Sequence, residues 1–268
     1  MMTEWTGNGA DWARNAPVFA TNNEFEWGGR TWPYPDVWVT EQRCEPTAER
    51  TGRMCVGHYT PDTDPDGDDA LYYGGGYYDE GMACMGEDEH EKRIMCFQAA
   101  ELLYLHASNL GNPFGDLCLG YVYSYDRCEG SYWGGERLFD LEGHALAHFG
   151  AAARAGIPEA CYKYGDLLRD GRGCDANFDE AYLWFSRAWE SADEERASVL
   201  GSVALRLGQA HEMGEGCRQG FDVARDWYER SVTWLSVAVR EGDSWYRGSL
   251  RRAEAGLARC KQELSGKY

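Results

Sequence analysis

Residues 160–174 read ACYKYGDLLRDGRGC, and residues 181–188 read AYLWFSRA. Small and apolar residues recur at helical spacing in the first stretch. Its glycines, Gly171 and Gly173, end the helix because glycine enters the left-handed backbone region at little cost. In the second stretch the apolar residues stand at i, i+3, i+4 and i+7, which is typical of an amphipathic helix. The two stretches together predict a pair of helices joined by a glycine turn.

This pair of patterns occurs four times. The central glycine of the first pattern aligns at Gly75, Gly120, Gly165 and Gly208, and the first alanine of the second pattern aligns at Ala100, Ala145, Ala181 and Ala224. The distance from glycine to alanine is 25, 25, 16 and 16 residues, so the first two units share an insertion between their helices. Nine residues after the glycine, three of the units carry a cysteine: Cys84, Cys174 and Cys217.

At these residues the chain resembles the Sel1-like repeat family, which is related to the tetratricopeptide repeats. The third unit matches the family pattern best and the fourth is close. The second unit departs from it because Asp126 and Cys128 replace the glycines. The resemblance implies an all-α fold, a right-handed α/α superhelix in which the first helix of each repeat lines a concave groove. It also implies a scaffold or adaptor that binds proteins and is not an enzyme.

The sequence divides into three predicted segments. Residues 1–62 are Trp-rich, residues 63–242 hold the four repeats, and residues 243–268 form a C-terminal capping helix with one apolar face. In the first segment, Phe25–Trp32 predicts a β-hairpin around Gly28-Gly29, and residues 36–40 predict another short strand. This N-terminal segment either caps the first repeat or occupies the groove in competition with a ligand.

The charge of the chain limits its partners. There are 26 Lys and Arg residues against 45 Asp and Glu residues, a net charge of −19. Such a surface repels phosphate backbones, so a nucleic-acid partner is not expected. No apolar run approaches the roughly 20 residues that a membrane-spanning helix needs. The first residues lack a basic stretch followed by an apolar one, which favours a cytoplasmic protein.

Several clusters resemble metal sites without completing one. Cys44, Cys55 and His58 include two zinc-type ligands at short spacing, and a Cys44–Cys55 disulfide is the alternative in an exported protein. Residues 62–68 resemble the start of a calcium loop, but Tyr73 stands where a bidentate Glu is expected, which favours an acidic linker that starts a helix. His144 and His148 are one helical turn apart, and core packing explains His148 because Trp fills that repeat position elsewhere.

No nucleophile elbow, phosphate-binding loop or dinucleotide-binding glycine pattern is present in the sequence. We therefore predict no catalytic residue, no cofactor and no resident metal. The alternative is an enzyme or small-molecule binder whose site lies between the N-terminal segment and the first repeat.

The first helices carry positions that core packing does not occupy, at −2, +1 and +5 from the aligned glycine. These positions predict a binding surface for a protein or peptide, since Tyr and Arg are frequent at interface hot spots. The predicted ligand-binding residues are Tyr73, Tyr121, Tyr125, Lys163, Asp166, Asp170, Arg206 and Gln209.

Overall fold

The computed structural model describes residues 64–127 and 140–266, together with five short strands outside these ranges. The predicted strand at residues 36–40 lies outside the described residues, as do Cys44, Cys55 and His58. The chain forms two compact units, Met1–Ala151 (unit 1) and Ala152–Tyr268 (unit 2).

Unit 1 begins with three strands, β1 (Val18–Phe19), β2 (Glu24–Trp27) and β3 (Arg30–Pro33), which form an antiparallel sheet in that order. Trp27 pairs with Arg30 across a two-residue connection. This register agrees with the hairpin that the sequence predicts over Phe25–Trp32.

The rest of unit 1 is mainly helical. Its helices and strands are α1 (Asp68–Ala83), α2 (His90–Asn109), α3 (Pro113–Ser124), the two-stranded β4 (Tyr132–Trp133) and β5 (Glu136–Arg137), and α4 (Leu141–Arg154), whose last three residues belong to unit 2. The hairpin of β4 and β5 lies within the insertion of the second repeat.

Unit 2 contains α5 (Pro158–Asp170), α6 (Phe178–Ser191), α7 (Ala197–Met213), α8 (Phe221–Arg240) and α9 (Arg247–Ser265). A short 3₁₀ helix, Ser244–Tyr246, precedes α9. Each predicted repeat thus corresponds to two consecutive helices, and the predicted all-α repeat fold is confirmed. None of the helices in the described part of the chain has the length and apolar character required to cross a membrane.

Several helices begin where the sequence supplies a cap. The side chain of Asn112 accepts a hydrogen bond from the Phe114 amide, with Pro113 at the first helical position. The side chain of Asn177 accepts one from the Glu180 amide at 3.1 Å. Each cap satisfies an amide group that would otherwise lack a partner in the first turn.

One close contact between helices recurs in all four repeats. A glycine on the first helix lies against an aromatic ring on the second helix, four residues after the repeat's alanine. The pairs are Gly74–Tyr104, Gly120–Phe149, Gly165–Phe185 and Gly208–Tyr228. A Cβ atom at these glycines would lie 2.5–2.9 Å from the ring, which is closer than real side-chain contacts allow, so glycine fits here.

The assignment of Gly75 as the aligned glycine of the first repeat is wrong by one residue. A Cβ atom at Gly75 would meet no atom within 4 Å, whereas one at Gly74 would lie 2.6 Å from Tyr104. The burial pattern of α1 agrees with the shifted register, because Gly76 is buried and Tyr72 is exposed. Three consecutive glycines leave the register ambiguous in the sequence.

The apolar face of α9 packs on α7 and α8. Two of its buried residues, Ala253 and Cys260, join a core cluster that includes Tyr228 and Leu235, and Leu250 and Leu257 pack against the same cluster. The 3-4-3-4 spacing of the apolar residues in the C-terminal sequence produces this face.

Candidate functional site

An ion pair connects the first helices of the third and fourth repeats. The Arg206 guanidinium on α7 donates from Nε to Asp166 Oδ1 on α5 at 2.7 Å, and from Nη2 to Asp166 Oδ2. Arg206 Nη1 also donates to the Ser202 carbonyl at 2.8 Å. The two side chains are only 14% and 19% exposed. Two parallel hydrogen bonds fix the orientation of both groups as well as their distance.

A second arginine extends this pair along α5. Arg169 Nη1 lies 3.7 Å from Asp166 Oδ1, and Arg169 donates from Nε and Nη2 to the Asp170 carboxylate at 2.8 and 3.2 Å. The result is a row of alternating charge, Arg206–Asp166–Arg169–Asp170. The Asp170 side chain at its end is 45% exposed and is open to solvent.

The aromatic ring of Tyr162 packs against the Arg206 end of this row. The Arg206 guanidinium is 4.5 Å from the centre of the Tyr162 ring, and Lys163 Nζ is 5.4 Å from the same centre. Tyr162 is buried, and burial raises the pKa of its hydroxyl well above the ordinary value. Cations over aromatic faces are held electrostatically, which further restrains Arg206.

The predicted residues of unit 2 thus divide into two kinds. Asp166 and Arg206 contact each other directly. Lys163, Asp170 and Gln209 lie outside that pair; Asp170 is exposed and pairs with Arg169, and Lys163 and Gln209 are partly exposed. The sequence does not identify Arg169, Tyr162 or Ser202 as part of this site. Arg169 is a basic residue four positions after Gly165, which is only a weak signal.

The predicted residues of unit 1 are aromatic. Tyr121 and Tyr125 on and just after α3 stack with ring centres 6.0 Å apart and an interplanar angle of 7°. Tyr125 is 52% exposed, and the Arg127 guanidinium lies 5.5 Å from its ring centre. Tyr73 is partly buried and meets Tyr72 edge-on at 5.5 Å. Because the register of α1 is shifted by one, Tyr72 takes the repeat position assigned to Tyr73.

Asp64 in the calcium-like stretch acts as a helix cap. Its two carboxylate oxygens accept hydrogen bonds from the amides of Asp69 at 3.1 Å and Ala70 at 2.8 Å, and the side chain is buried. The structure therefore contains an acidic linker that starts a helix at this position, which is the alternative that the sequence favours over a calcium loop. Within residues 64–127 and 140–266, no three His, Cys, Asp or Glu side chains are grouped so that they would hold a metal ion.

His144 and His148 pack in the core of unit 1. His148 Nδ1 lies 2.8 Å from Asp116 Oδ1, and Ser108 Oγ donates to the same oxygen at 3.0 Å. The ring of Tyr123 lies 5.3 Å from His144 and 5.5 Å from His148. Burial, with a smaller contribution from His148, lowers the pKa of His144 to about 4. His144 is therefore neutral near pH 7, as a packing residue is expected to be.

Comparison with known proteins agrees with the repeat geometry. Residues 158–193 and 202–233, which are the third and fourth repeats, match the Sel1 repeat family. The fold is similar to that of a Sel1 repeat protein from Oxalobacter formigenes, with 21% identity and a TM-score of 0.50 over 75% of this chain and 66% of that one.

A second solved structure is c5321, described as a protective antigen present in uropathogenic Escherichia coli strains and displaying an SLR fold. It is 18% identical, with a TM-score of 0.44 over 72% of this chain and 38% of that one. The chain thus spans 66% and 38% of the lengths of these two proteins. No curated protein sequence matches the chain.

Proposed function

Because the chain carries Sel1-like repeats, we propose that it is a scaffold that binds a protein or peptide on the groove formed by the first helices of the repeats. The observation that carries the proposal is a row of polar residues on α5 and α7, here called the polar stripe: Lys163, Asp166, Arg169, Asp170, Arg206 and Gln209. Between Ala197 and Ala210, only Ser198, Arg206 and Gln209 keep partial exposure. Within this stretch of α7, these three residues are therefore the ones that a partner can contact.

The geometry of the stripe supports recognition of a polar, extended partner. Asp166, Ser202 and Tyr162 already hold the Arg206 side chain in one conformation. A preorganised side chain loses little conformational entropy when a ligand binds, so more of the contact energy contributes to affinity. Alternating positive and negative groups favour a partner that offers both hydrogen-bond donors and acceptors.

In unit 1 the stacked rings of Tyr121 and Tyr125 extend the proposal to an aromatic surface. Tyrosine provides a large contact area with few rotatable bonds, which is why it is frequent at binding surfaces. We assign these two residues, together with Tyr73 or its neighbour Tyr72, to contacts with apolar parts of a partner.

The test separates the first helices from the second helices. We expect Lys163→Glu combined with Gln209→Glu to leave the fold intact, because neither residue belongs to the Asp166–Arg206 pair. Proteins captured from a lysate of the native organism by the immobilised chain are quantified by mass spectrometry. Capture by the double variant falls by about tenfold or more, since new negative charges oppose a partner selected for this surface.

The control is Arg187→Glu combined with Arg230→Glu, because these residues lie on the second helices α6 and α8. The control variant retains the same captured proteins. If instead the control loses them and the Lys163 and Gln209 variant keeps them, binding takes place on the second helices and the groove proposal is wrong.

The alternative function, an enzyme or small-molecule binder, requires a site beside the N-terminal segment. That site relies on residues such as His58, which lie outside the described part of the chain. No described residue supports it.

A further inference from the structure

A thiol, an imidazole and a phenol lie together where the fourth repeat turns from its first helix to its second. His211 is in the last turn of α7, Cys217 is in the following loop, and Tyr182 is on α6 of the preceding repeat. Cys217 Sγ lies 3.5 Å from His211 Nδ1, and the Tyr182 hydroxyl lies 3.2 Å from His211 Nε2. All three residues are partly exposed.

The loop holds this arrangement in place. Gly214 and Gly216 have φ angles of 77° and 69°, which glycine adopts without strain. A Cβ atom at Gly216 would lie 2.1 Å from the Phe178 carbonyl oxygen, so the loop backbone presses against the start of α6. The Tyr182 ring meets the His211 ring edge-on at 5.6 Å. Nδ1 of the imidazole consequently faces the thiol and the Arg218 carbonyl, which is 3.3 Å away.

The third repeat contains the same loop without the imidazole. Cys174 follows Gly171-Arg172-Gly173 as Cys217 follows Gly214-Glu215-Gly216, and Leu168 stands where the fourth repeat has His211. Cys174 Sγ has the Arg172 carbonyl as a contact at 3.9 Å. Burial, reinforced by nearby carboxylates, raises the pKa of both thiols. Burial therefore predicts that both cysteines react slowly.

We propose that Cys217 is a modification site at which the thiol exchanges with a low-molecular-weight disulfide, with His211 as the proton acceptor. In the tautomer whose Nε2–H donates to the Tyr182 hydroxyl oxygen, Nδ1 of His211 takes the thiol proton, and the resulting Nδ1–H donates to the Arg218 carbonyl. The thiolate attacks one sulfur of the reagent R–S–S–R. The reagent's S–S bond breaks as the Cys217–S–S–R bond forms. The leaving R–S⁻ carries the electron pair of the broken bond and takes the proton from the imidazolium, so one half of the reagent is reduced while Cys217 is oxidised.

Tyr182 acts as a positioning residue in this step, since its hydroxyl contacts the nitrogen that does not face the thiol. An imidazole restrained at one nitrogen presents the other in a fixed direction. This reactivity is independent of partner binding, because the contacts that produce it lie at the end of α7 and do not involve the polar stripe.

The test uses Cys174 as an internal reference. The full-length chain is treated with 4,4′-dithiodipyridine, a neutral disulfide, the reaction is stopped by acid at successive times, and each cysteine is followed by peptide mass spectrometry. At about pH 7 we expect Cys217 to react about tenfold faster than Cys174. In His211→Leu the Cys217 rate falls to that of Cys174. Leucine is the residue that the third repeat has at this position, and thermal unfolding verifies that the variant is folded.

The pH profile distinguishes proton transfer from a change in exposure. Below the thiol pKa, the rate at Cys174 rises about tenfold per pH unit because the thiolate fraction rises in that proportion. The rate at Cys217 rises less steeply in the wild-type chain, and His211→Leu restores the steep profile. Equal rates at the two cysteines, or an unchanged Cys217 profile in His211→Leu, would overturn the proposal. Tyr182→Phe is expected to give an intermediate rate, since the ring stays but the hydroxyl contact is lost.

Discussion

At the residue scale, each repeat depends on one glycine that lets an aromatic ring approach the backbone of the first helix. The ring is Tyr104, Phe149, Phe185 or Tyr228, and three of these four side chains are among the largest that are fully buried. Because the glycine has no Cβ atom, the ring can pack against the first helix, and this contact positions the second helix. The same substitution has opposite effects at two glycines that both lie within helices.

Gly165→Ala is expected to destabilise the protein by about 1–3 kcal/mol, because its Cβ would lie 2.6 Å from the Phe185 ring and the well-packed ring has to move. Gly75→Ala is the control. A Cβ there meets no atom within 4 Å, and alanine is the better helix former by about 1 kcal/mol. Chemical denaturation of both variants measures the free energies. Equal losses in the two variants would show that the ring contact is not the cause.

Asp126 is a second residue whose backbone limits stability. It stands where the third and fourth repeats have the glycines that end the helix, and its φ angle is 47°. The left-handed region costs residues with a side chain roughly 1 kcal/mol. We expect Asp126→Gly to raise the free energy of unfolding by up to about 1 kcal/mol, whereas Asp126→Ala, which removes the carboxylate and keeps the Cβ, lowers it. A lower stability for the glycine variant than for alanine contradicts this account.

At the scale of elements, α9 is tied to α7 and α8 by two carboxylates with different surroundings. Glu212 on α7 accepts hydrogen bonds from Arg259 at 2.7 and 2.9 Å and from the buried Tyr228. Glu229 on α8 pairs with Lys261 at 3.3 Å, and both of these side chains are about half exposed. Exposed pairs contribute little, so we attribute the polar attachment of α9 to Glu212.

The pH dependence of this attachment follows from the pKa of Glu212. Hydrogen bonds from Arg259 and Tyr228 hold that pKa below its ordinary value of 4.5 in spite of burial. A carboxylate whose pKa is lower in the folded state stabilises the fold above its unfolded pKa, and the contribution is lost as the pH falls through the folded pKa. We expect Glu212→Gln to cost about 1–2 kcal/mol near pH 7. The difference from the wild type shrinks as the pH falls below 4.5.

Thermal unfolding of the wild type and Glu212→Gln over this pH range measures the effect, and hydrogen exchange assigns it to α9. Glu229→Gln is the matched control, since it removes the exposed partner of the same helix. A control variant as unstable as Glu212→Gln would show that charge on α9, rather than the hydrogen bonds to Glu212, is responsible.

The sequence predicts the helices but not the contacts between them, because periodicity reports only on residues that are close together in the chain. The glycine turns at Gly171 and Gly214 and the apolar face of α9 depend on residues within one or two helical turns, so their spacing is visible in the chain. The Asp166–Arg206 and Glu212–Arg259 pairs join residues 40 and 47 positions apart. Their formation depends on how neighbouring repeats pack, which periodicity does not specify. Where neighbouring residues are identical, as at Gly74–Gly76, the sequence does not fix even the register of the repeat pattern on the helix.

At the scale of the whole molecule, charge is distributed unequally between the two units. Unit 1 contains 26 acidic and nine basic residues, whereas unit 2 contains 19 and 17, so the net charges are −17 and −2. Nearly all of the net charge of −19 therefore belongs to residues 1–151. Like charges held close together oppose compaction, and dissolved salt screens them over about 10 Å. The stability of unit 1 should consequently depend on ionic strength more than that of unit 2.

Hydrogen exchange resolved by peptide measures this difference directly. Raising NaCl from about 0.01 M to about 0.5 M shortens the screening length several-fold. We expect amide protection in α1–α3 to increase by about fivefold, which corresponds to roughly 1 kcal/mol, while protection in α5–α8 stays nearly constant. KCl at the same ionic strength gives the same result if screening is the cause, whereas binding of a specific ion would separate the two salts. An equal increase in both units would mean that salt strengthens apolar packing throughout, and charge asymmetry would then play no part in the stability of unit 1.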